Sequence, residues 1–173
     1  MVKKKSKRYV AGIDAGYGNC GIVVFDLSKK KFVYSECITP PAVKRNYKVE
    51  EFFERCQFVS NCLDIVADKF TLERIYCELP TGGSKSHSAI KGMAGAVAII
   101  ASFSTHNVIP MTLVTPTEIK RLVKPKGEVS KEEVQKVVEE KLTDYGFEYP
   151  NSKKQVKEHV ADAAATLLVK SVI

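Results

Sequence analysis

The chain has 173 residues, of which 45% are hydrophobic and 27% charged, and its formal net charge is +7. This length suits one domain that needs no disulfide or metal to complete its core. The basic excess favours a polyanionic partner, and a membrane protein is excluded because no run of 18 apolar residues occurs. The charged N-terminus also lacks the apolar segment of a signal peptide. We expect a soluble intracellular protein of the cytoplasm or nucleoid, or of a host's cytoplasm if the source is viral, with an organelle left open.

Residues 1–8 contain the run KKKSKR and are predicted to form a flexible basic arm. A phosphate-contacting arm and a merely solvated tail are equally compatible with such a run. Residues 9–173 are predicted to form the single folded domain. The five cysteines include no CxxC pair, and no histidine follows them at zinc-finger spacing. They are therefore predicted to be small buried apolar residues in a reducing compartment.

Three strands are predicted at the start of the chain. Their β-branched and aromatic runs cover 10–13, 19–25 and 31–37, and the turn sequences AGYGN and DLSKK separate them. Apolar residues then recur at spacings of four and three over 49–70, which indicates an amphipathic helix packed on the sheet. The alternating run ERIYCELP predicts a fourth strand that ends at Glu78.

Strands and helices alternate in the second half of the chain. The segment 88–103 is rich in Ala and Gly, which predicts a helix with a closely packed neighbour. A short strand follows at 111–114, then a helix that starts at Pro116. Ser130 and Glu133 form a capping box that opens a further helix, 145–152 is irregular, and 155–172 is helical again. This order predicts an α/β fold with a mixed five-stranded β-sheet flanked by α-helices.

Four candidate metal ligands lie on three of these elements. Asp14 ends the first strand, Glu78 ends the fourth, and His159 and Asp162 are three residues apart on the last helix, hence on one face. A carboxylate in a buried strand is costly unless it is paired or binds a cation. Oxygen ligands of this kind suit Mg²⁺ or Mn²⁺, and a set shared between two ions is typical of phosphodiester hydrolysis.

Each of these residues also has an ordinary structural explanation. Asp14 before Ala-Gly could be a turn former, and Glu78 could be an exposed strand end. His159, taken alone, could be a half-buried histidine of no chemical role. Asp162 is the strongest case, because it interrupts the small and apolar run HVADAAATLLV, where a carboxylate needs a reason. The combination in this element order is more specific than any one member.

These motifs resemble the RuvC family of Holliday junction resolvases, in the RNase H-like (retroviral integrase) superfamily, over residues 10–168. GIDAGYGNCGIVVFD is similar to the family's first-strand motif, with Asp14 at its catalytic aspartate, and ERIYCELP to the strand that carries its catalytic glutamate, here Glu78. EHVADAAATLL is similar to the last helix, with Asp162 at the final carboxylate and His159 where members have Asp or His. HSAIKGMAGAVAII is similar to the small-residue helix that forms much of the family's homodimer interface.

The resemblance implies an RNase H-like fold and a homodimeric endonuclease that nicks four-way (Holliday) DNA junctions symmetrically in recombination and repair. It implies Mg²⁺ as cofactor, with Mn²⁺ able to substitute and two ions per site held by the four residues above. It implies a homodimer that forms through helix 88–103. Two lysines, Lys120 and Lys131, match family lysines that contact DNA or support cleavage. The predicted phosphate contacts are Lys120, Lys124, Lys126, Lys131, Lys153, Lys154 and Lys157.

One departure from the family pattern leaves rival functions open. Many bacterial members carry an aromatic wedge after the strand-four glutamate, whereas this chain has Leu79, Pro80 and Thr81, and the loop TGGSKSHS is closer to phage or viral relatives. A nuclease that acts on flaps, forks or other branched DNA is therefore the first alternative.

An actin-like or sugar-kinase-like ATPase shares the D-x-G start, but that fold needs two such domains and a second glycine-rich phosphate loop. A non-catalytic DNA-binding scaffold would not need all four ligand-type residues.

Overall fold

The computed structural model describes residues 8–42, 48–79, 87–150 and 154–173, with the side chains of 154 and 155 left aside. Five strands form one mixed sheet in the order β3-β2-β1-β4-β5. The pairs β1–β2 and β2–β3 are antiparallel, and β1–β4 and β4–β5 are parallel. The strands are β1 (Tyr9–Asp14), β2 (Cys20–Asp26), β3 (Lys31–Ile38), β4 (Leu72–Glu78) and β5 (Met111–Val114). This confirms the predicted fold class.

Five α-helices of the described residues cover the sheet, and two of them start at a capping box. Ser130 accepts a hydrogen bond from the Glu133 backbone while the Glu133 side chain accepts one from the Ser130 backbone, so the predicted capping box is present. Thr115 and Glu118 form a second box, which the sequence analysis did not identify. The helices are α1 (Lys48–Lys69), α2 (His87–His106), α3 (Pro116–Val123), α4 (Lys131–Leu142) and α5 (Lys154–Val169).

The sheet separates two apolar cores because successive strand side chains point to opposite faces. Ile13 and Ile22 belong to the core under α1 and α2, whereas Val10 and Val23 belong to the core under α3, α4 and α5. The middle of α5 is buried on all sides, with every residue from 163 to 167 fully enclosed. A helix with this environment lies in the interior of the layer rather than on its surface.

The neighbour of the small-residue helix α2 lies within the same chain. An added Cβ at Gly95 would lie 2.5 Å from Phe52 Cζ, and one at Gly92 would lie 2.2 Å from Tyr17 Cε1. The two glycines therefore make room for aromatic rings of α1 and of the loop after β1. By length and composition α2 could also cross a membrane, but this packing is that of a helix in a folded domain.

Some element ends and environments differ from the predictions. Helix α5 ends at Val169, three residues before its predicted end, and α2 extends to His106. Cys20 and Cys77 are buried as predicted, while the other three cysteines are only half-buried, and all five thiols are free. Burial raises the pKa of Cys20 to about 12, so its thiol is unreactive. The predicted arm, apart from Arg8, and the loop 80–86 lie outside the described residues.

Candidate active site

Two carboxylates meet at one edge of the sheet because β1 and β4 are parallel neighbours. Asp14 and Glu78 are register partners at the carboxyl ends of these strands, and the Ala15 amide donates to the Glu78 carbonyl at 3.2 Å, one residue beyond the ladder. The carboxyl ends of parallel strands at a change of strand order are where α/β sheets place their sites. Both acids are half-buried.

Helix α5 reaches this edge because two strand glycines let its backbone lie directly on the sheet. An added Cβ at Gly12 would lie 2.2 Å from the Ala163 carbonyl oxygen, and one at Gly21 would lie 2.1 Å from the His159 carbonyl oxygen. Neither position has room for any side chain. The sequence analysis missed both residues, although a glycine inside a strand is itself a signal of close backbone approach.

His159 is joined directly to Asp14. Its Nδ1 lies 2.6 Å from Asp14 Oδ2, and the two side chains are 25% and 16% exposed. The hydrogen bond to Asp14 raises the pKa of His159 above its usual value, against the opposing effect of burial. The contact with Asp14 therefore favours the protonated form of the imidazole.

The other two acids are held in an environment that disfavours their charge. Burial raises the pKa of Glu78 to about 8, and the negative charges of Asp14 and Asp162 add to that effect. Burial and the charge of Asp14 likewise raise the pKa of Asp162 to about 7. In addition, Glu78 Oε2 is buried and has no hydrogen-bond partner among the residues that the structure describes. Three acids that repel one another around an unpartnered oxygen need a cation for compensation.

This donor set fits a hard divalent cation in its chemistry and charge. Carboxylate oxygens are the ligands that Mg²⁺ and Mn²⁺ prefer, and imidazole is acceptable to Mn²⁺. Within the described ranges, however, no group of three or more His, Cys, Asp or Glu side chains is arranged as a formed metal site. The His159 ring is hydrogen-bonded to Asp14 instead, so a metal would have to compete with this contact.

The predicted phosphate-binding lysines are not equivalent. The positive charges of Lys131 and Lys120 both lower the pKa of Glu78, which places these two next to the acids. Lys124 pairs with Glu133 at 3.3 Å, and Lys157 lies over the Tyr149 ring. Lys126 is exposed in the loop before α4. Lys153 and the side chain of Lys154 lie outside the described residues.

Two further residues of the site were not singled out from the sequence. Glu158 accepts a hydrogen bond from Lys131 at 2.8 Å, one residue before His159. The buried Thr166 hydroxyl contacts the carbonyl oxygens of Ala163 and Tyr76 at 2.7 and 3.2 Å, which ties α5 to β4. Sequence pattern could not identify Glu158, because an acid near a helix start is an ordinary residue there.

Comparison with known proteins agrees with this geometry. A family model described as "Crossover junction endodeoxyribonuclease RuvC" matches residues 10–169. The chain is 25% identical over 134 residues to a crossover junction endodeoxyribonuclease RuvC of Pseudarthrobacter chlorophenolicus, a match that covers 75% of this chain and 65% of that protein. The corresponding protein of Christiangramia forsetii is 29% identical over 142 residues, which is 80% of this chain and 69% of that one. The chain thus spans about two thirds of the length of these relatives.

Two solved structures share the fold. Thermus thermophilus RuvC in complex with a Holliday junction substrate superposes with a TM-score of 0.69 at 19% identity, covering 94% of this chain and 92% of that one. The yeast mitochondrial Holliday junction resolvase Ydc2 superposes with a TM-score of 0.56 at 12% identity, covering 94% of this chain and 78% of that one. At these identities the two structures support the RNase H-like architecture alone.

Proposed function

Because this chain belongs to the RuvC family of crossover junction endodeoxyribonucleases, we propose that it is a metal-dependent endonuclease that resolves four-way DNA junctions by paired hydrolysis of phosphodiester bonds. The observation that carries the proposal is the convergence of Asp14, Glu78 and Asp162 at the carboxyl edge of β1 and β4, where burial and the charge of Asp14 raise the pKa of both Glu78 and Asp162. A scaffold without catalysis gains nothing from this costly burial of acids.

The cofactor in this proposal is Mg²⁺, with Mn²⁺ able to substitute and two ions per site. Asp14, Glu78, His159 and Asp162 would hold the ions, which supply a water of lowered pKa and stabilise charge on the phosphate. The chain's own contribution is positional. The parallel register fixes Asp14 beside Glu78, and the glycine contacts of α5 bring His159 and Asp162 to them. Burial keeps these groups poorly solvated, which strengthens their attraction for a cation.

Phosphate contacts in this proposal come from the lysines around the acids. Lys120 and Lys131 lie beside the acid cluster, and Lys124 and Lys126 extend the basic surface along the loop between α3 and α4. Such contacts position DNA without reading its sequence. The same role is proposed for Lys153, Lys154 and Lys157 at the start of α5.

A homodimer through α2 is the second part of the proposal, because paired nicks need two linked sites. Ile90 and Val97 are 48% and 38% exposed, and Ala94 and Ala101 are exposed between and beyond them. The spacings of four, three and four place these residues on one face, here called the α2 stripe. An apolar helix stripe of small residues suits a second helix at short distance.

The proposal is tested with synthetic DNA substrates of identical arm sequence. Purified protein is incubated with Mg²⁺ and a four-way junction, a flap, a fork or a linear duplex. We expect paired nicks in the junction, no cleavage of the duplex, and no cleavage by Asp14→Asn, which should still bind the junction because its phosphate contacts are elsewhere. Equal cleavage of the flap or fork would instead support the alternative of a general branched-DNA nuclease.

The place of His159 in the site has its own test. His159→Ala should lose most nicking, and His159→Asp should restore it with a preference for Mg²⁺ over Mn²⁺, because a carboxylate is the harder ligand. Nicking of the junction is measured in each metal across mildly acid to mildly alkaline pH. An alanine variant that nicks like the wild type under all conditions would limit the site to the three carboxylates.

A further inference from the structure

Lys131 and Glu158 form an ion pair that is unequal in exposure. Lys131 Nζ donates to Glu158 Oε2 at 2.8 Å, so the pair joins the first residue of α4 to the start of α5. The lysine side chain is 62% exposed, while the glutamate side chain is only 16% exposed. An ammonium has three donors, and this one contributes a donor to an enclosed carboxylate while most of the side chain faces solvent.

Both charges of the pair lie in unfavourable surroundings. Lys131 is at the N-terminal end of α4, where the helix dipole disfavours a cation, and Ser130 with Glu133 already cap that helix. Glu158 adds a negative charge beside Asp162, whose pKa it helps to raise. Each of the two charges is therefore unfavourable in its own place and is compensated by the other.

The pair lies against the acid cluster. The charge of Lys131 opposes the rise in the pKa of both Glu78 and Asp162. Asp14 and Asp162 in turn add to the effect of Glu158 in raising the pKa of Lys131. Lys131 is therefore close to the acids, and its hydrogen-bond partner among the described residues is Glu158.

We infer that Glu158 is a positioning residue that holds the Lys131 ammonium beside the acid cluster, with its remaining donors directed at the phosphate that is cleaved. The inference rests on the proposed nuclease function. A lysine side chain is long and flexible, and divalent cations bound at the acids would repel its ammonium from the site. A fixed carboxylate behind the lysine opposes this repulsion and gives the ammonium a defined position before the DNA arrives.

The test separates DNA binding from cleavage in Glu158→Gln, which keeps the size of the side chain and removes its charge. The Kd for a four-way junction is measured without divalent metal, and the single-turnover nicking rate is measured in Mg²⁺ with enzyme in saturating excess. We expect nicking in the saturated complex to slow about tenfold, because misplacement of a catalytic group costs this much or more. The Kd should be unchanged or tighter, since one negative charge beside the DNA is removed.

Lys170→Gln is the matched control, because it removes an ion pair away from the acid cluster, between Lys170, the residue after α5, and Glu118 of α3 at 2.6 Å. It should leave both the Kd and the nicking rate at their wild-type values. The double variant Lys131→Glu/Glu158→Lys restores an ion pair of reversed polarity. If Glu158 positions Lys131 for the phosphate, this variant stays inactive; if the pair only joins α4 to α5, it recovers the nicking rate, and the inference is wrong.

Two other results would overturn the inference. One is a Glu158→Gln variant that nicks at the wild-type rate. The other is a Glu158→Gln variant whose nicking rate, DNA affinity and melting temperature all fall together below those of Lys170→Gln, which is the behaviour of a structural contact. A wild-type protein that nicks no junction would count against the proposed function instead, so the two failures are distinguishable.

Discussion

The two helical layers are packed in different ways. Helix α5 lies with its backbone against strand glycines, and the carbonyl oxygens of His159 and Ala163 fill the space above Gly21 and Gly12. Helix α2 instead packs through side chains, with the Phe52 ring against Gly95. A backbone contact has one permitted distance, whereas a ring can turn or shift. The layer that carries His159 and Asp162 is therefore the more precisely placed of the two.

The layers also differ in how much apolar surface they leave in water. Exposed large apolar side chains on described helices occur on α1 and α2 only, whereas α3, α4 and α5 expose none. They are Val49, Phe53, Phe58, Ile65, Ile90 and Val97. Exposed apolar surface of this extent is typical of a face that meets a partner. One layer thus builds the site, and the other is available for assembly.

A matched pair of glycine substitutions gives the largest expected effect and tests the difference in packing. Gly12→Ala forces Cβ onto the Ala163 carbonyl oxygen, so α5 must move, and we expect a loss of about 3 kcal/mol of unfolding free energy and of all nicking. In Gly95→Ala the new Cβ is closest to the tip of the Phe52 ring, which must shift. The gain in helix propensity offsets the cost of this shift, so we expect the unfolding free energy to change by less than about 1 kcal/mol. Urea denaturation followed by circular dichroism measures both, and equal losses would contradict the comparison.

The α2 stripe is tested by a charge on its outer face. Val97→Asp should convert a dimer to a monomer at micromolar concentration and abolish paired nicks, because a buried carboxylate at a helix interface has no partner. Sedimentation measures the state, and circular dichroism confirms the fold. Ile65→Asp, at a 65% exposed apolar position of α1 outside the stripe, is the control that stays dimeric. A dimeric Val97→Asp would place the interface elsewhere.

The burial of Glu78 is expected to lower the stability of the fold while it serves the active site. Glu78→Gln should raise the melting temperature of the metal-free protein at pH 8 by about 4 °C, because it removes a charge that burial and two neighbouring acids destabilise. It should also abolish nicking. The native pKa of about 8 lies above the ordinary value, so this destabilisation develops as pH rises from about 4.5 to 8.

Differential scanning fluorimetry with and without Mg²⁺ measures this prediction. The cation should raise the melting temperature of the wild type but not that of the variant. Glu148→Gln, an exposed position, is the control with no expected change. A Glu78→Gln protein that melts at or below the wild-type temperature would mean that Glu78 is not strained in the fold.

The smallest effect is expected at the other end of α5. The hydrogen bond from the Lys170 ammonium lowers the pKa of Glu118 from its ordinary value of 4.5 to about 2. Hydrogen bonds from the Thr115 backbone and hydroxyl add to this effect. The contribution of Glu118 to stability is therefore complete above pH 4.5 and is lost as pH falls through about 2. Lys170→Gln should lower the melting temperature by about 1–2 °C at pH 7 and by much less at pH 2, as suits a partly exposed ion pair. A loss that persists at pH 2 would mean that Lys170 stabilises through packing.

Local pattern was sufficient to predict most elements and to select candidate site residues. The end of β4 at Glu78, the start of α3 at Pro116 and the capping box at Ser130 each depend on residues within one turn or strand, and each is confirmed. The three candidate acids were selected because acids in apolar runs are costly, and His159 because it shares a helix face with Asp162. Their roles as metal ligands stay a prediction.

Contacts between distant residues were decided by the tertiary structure. The sequence analysis assigned the glycines of α2 to an outside neighbour, whereas Gly95 and Gly92 face Phe52 and Tyr17 of the same chain. It did not identify Glu158, because the role proposed for that residue depends on its ion pair with Lys131, 27 positions away. The protein's own sequence determined which groups carry charge and where helices and strands begin. Only packing decided which charges meet, because the free energy of a buried charge depends on what surrounds it.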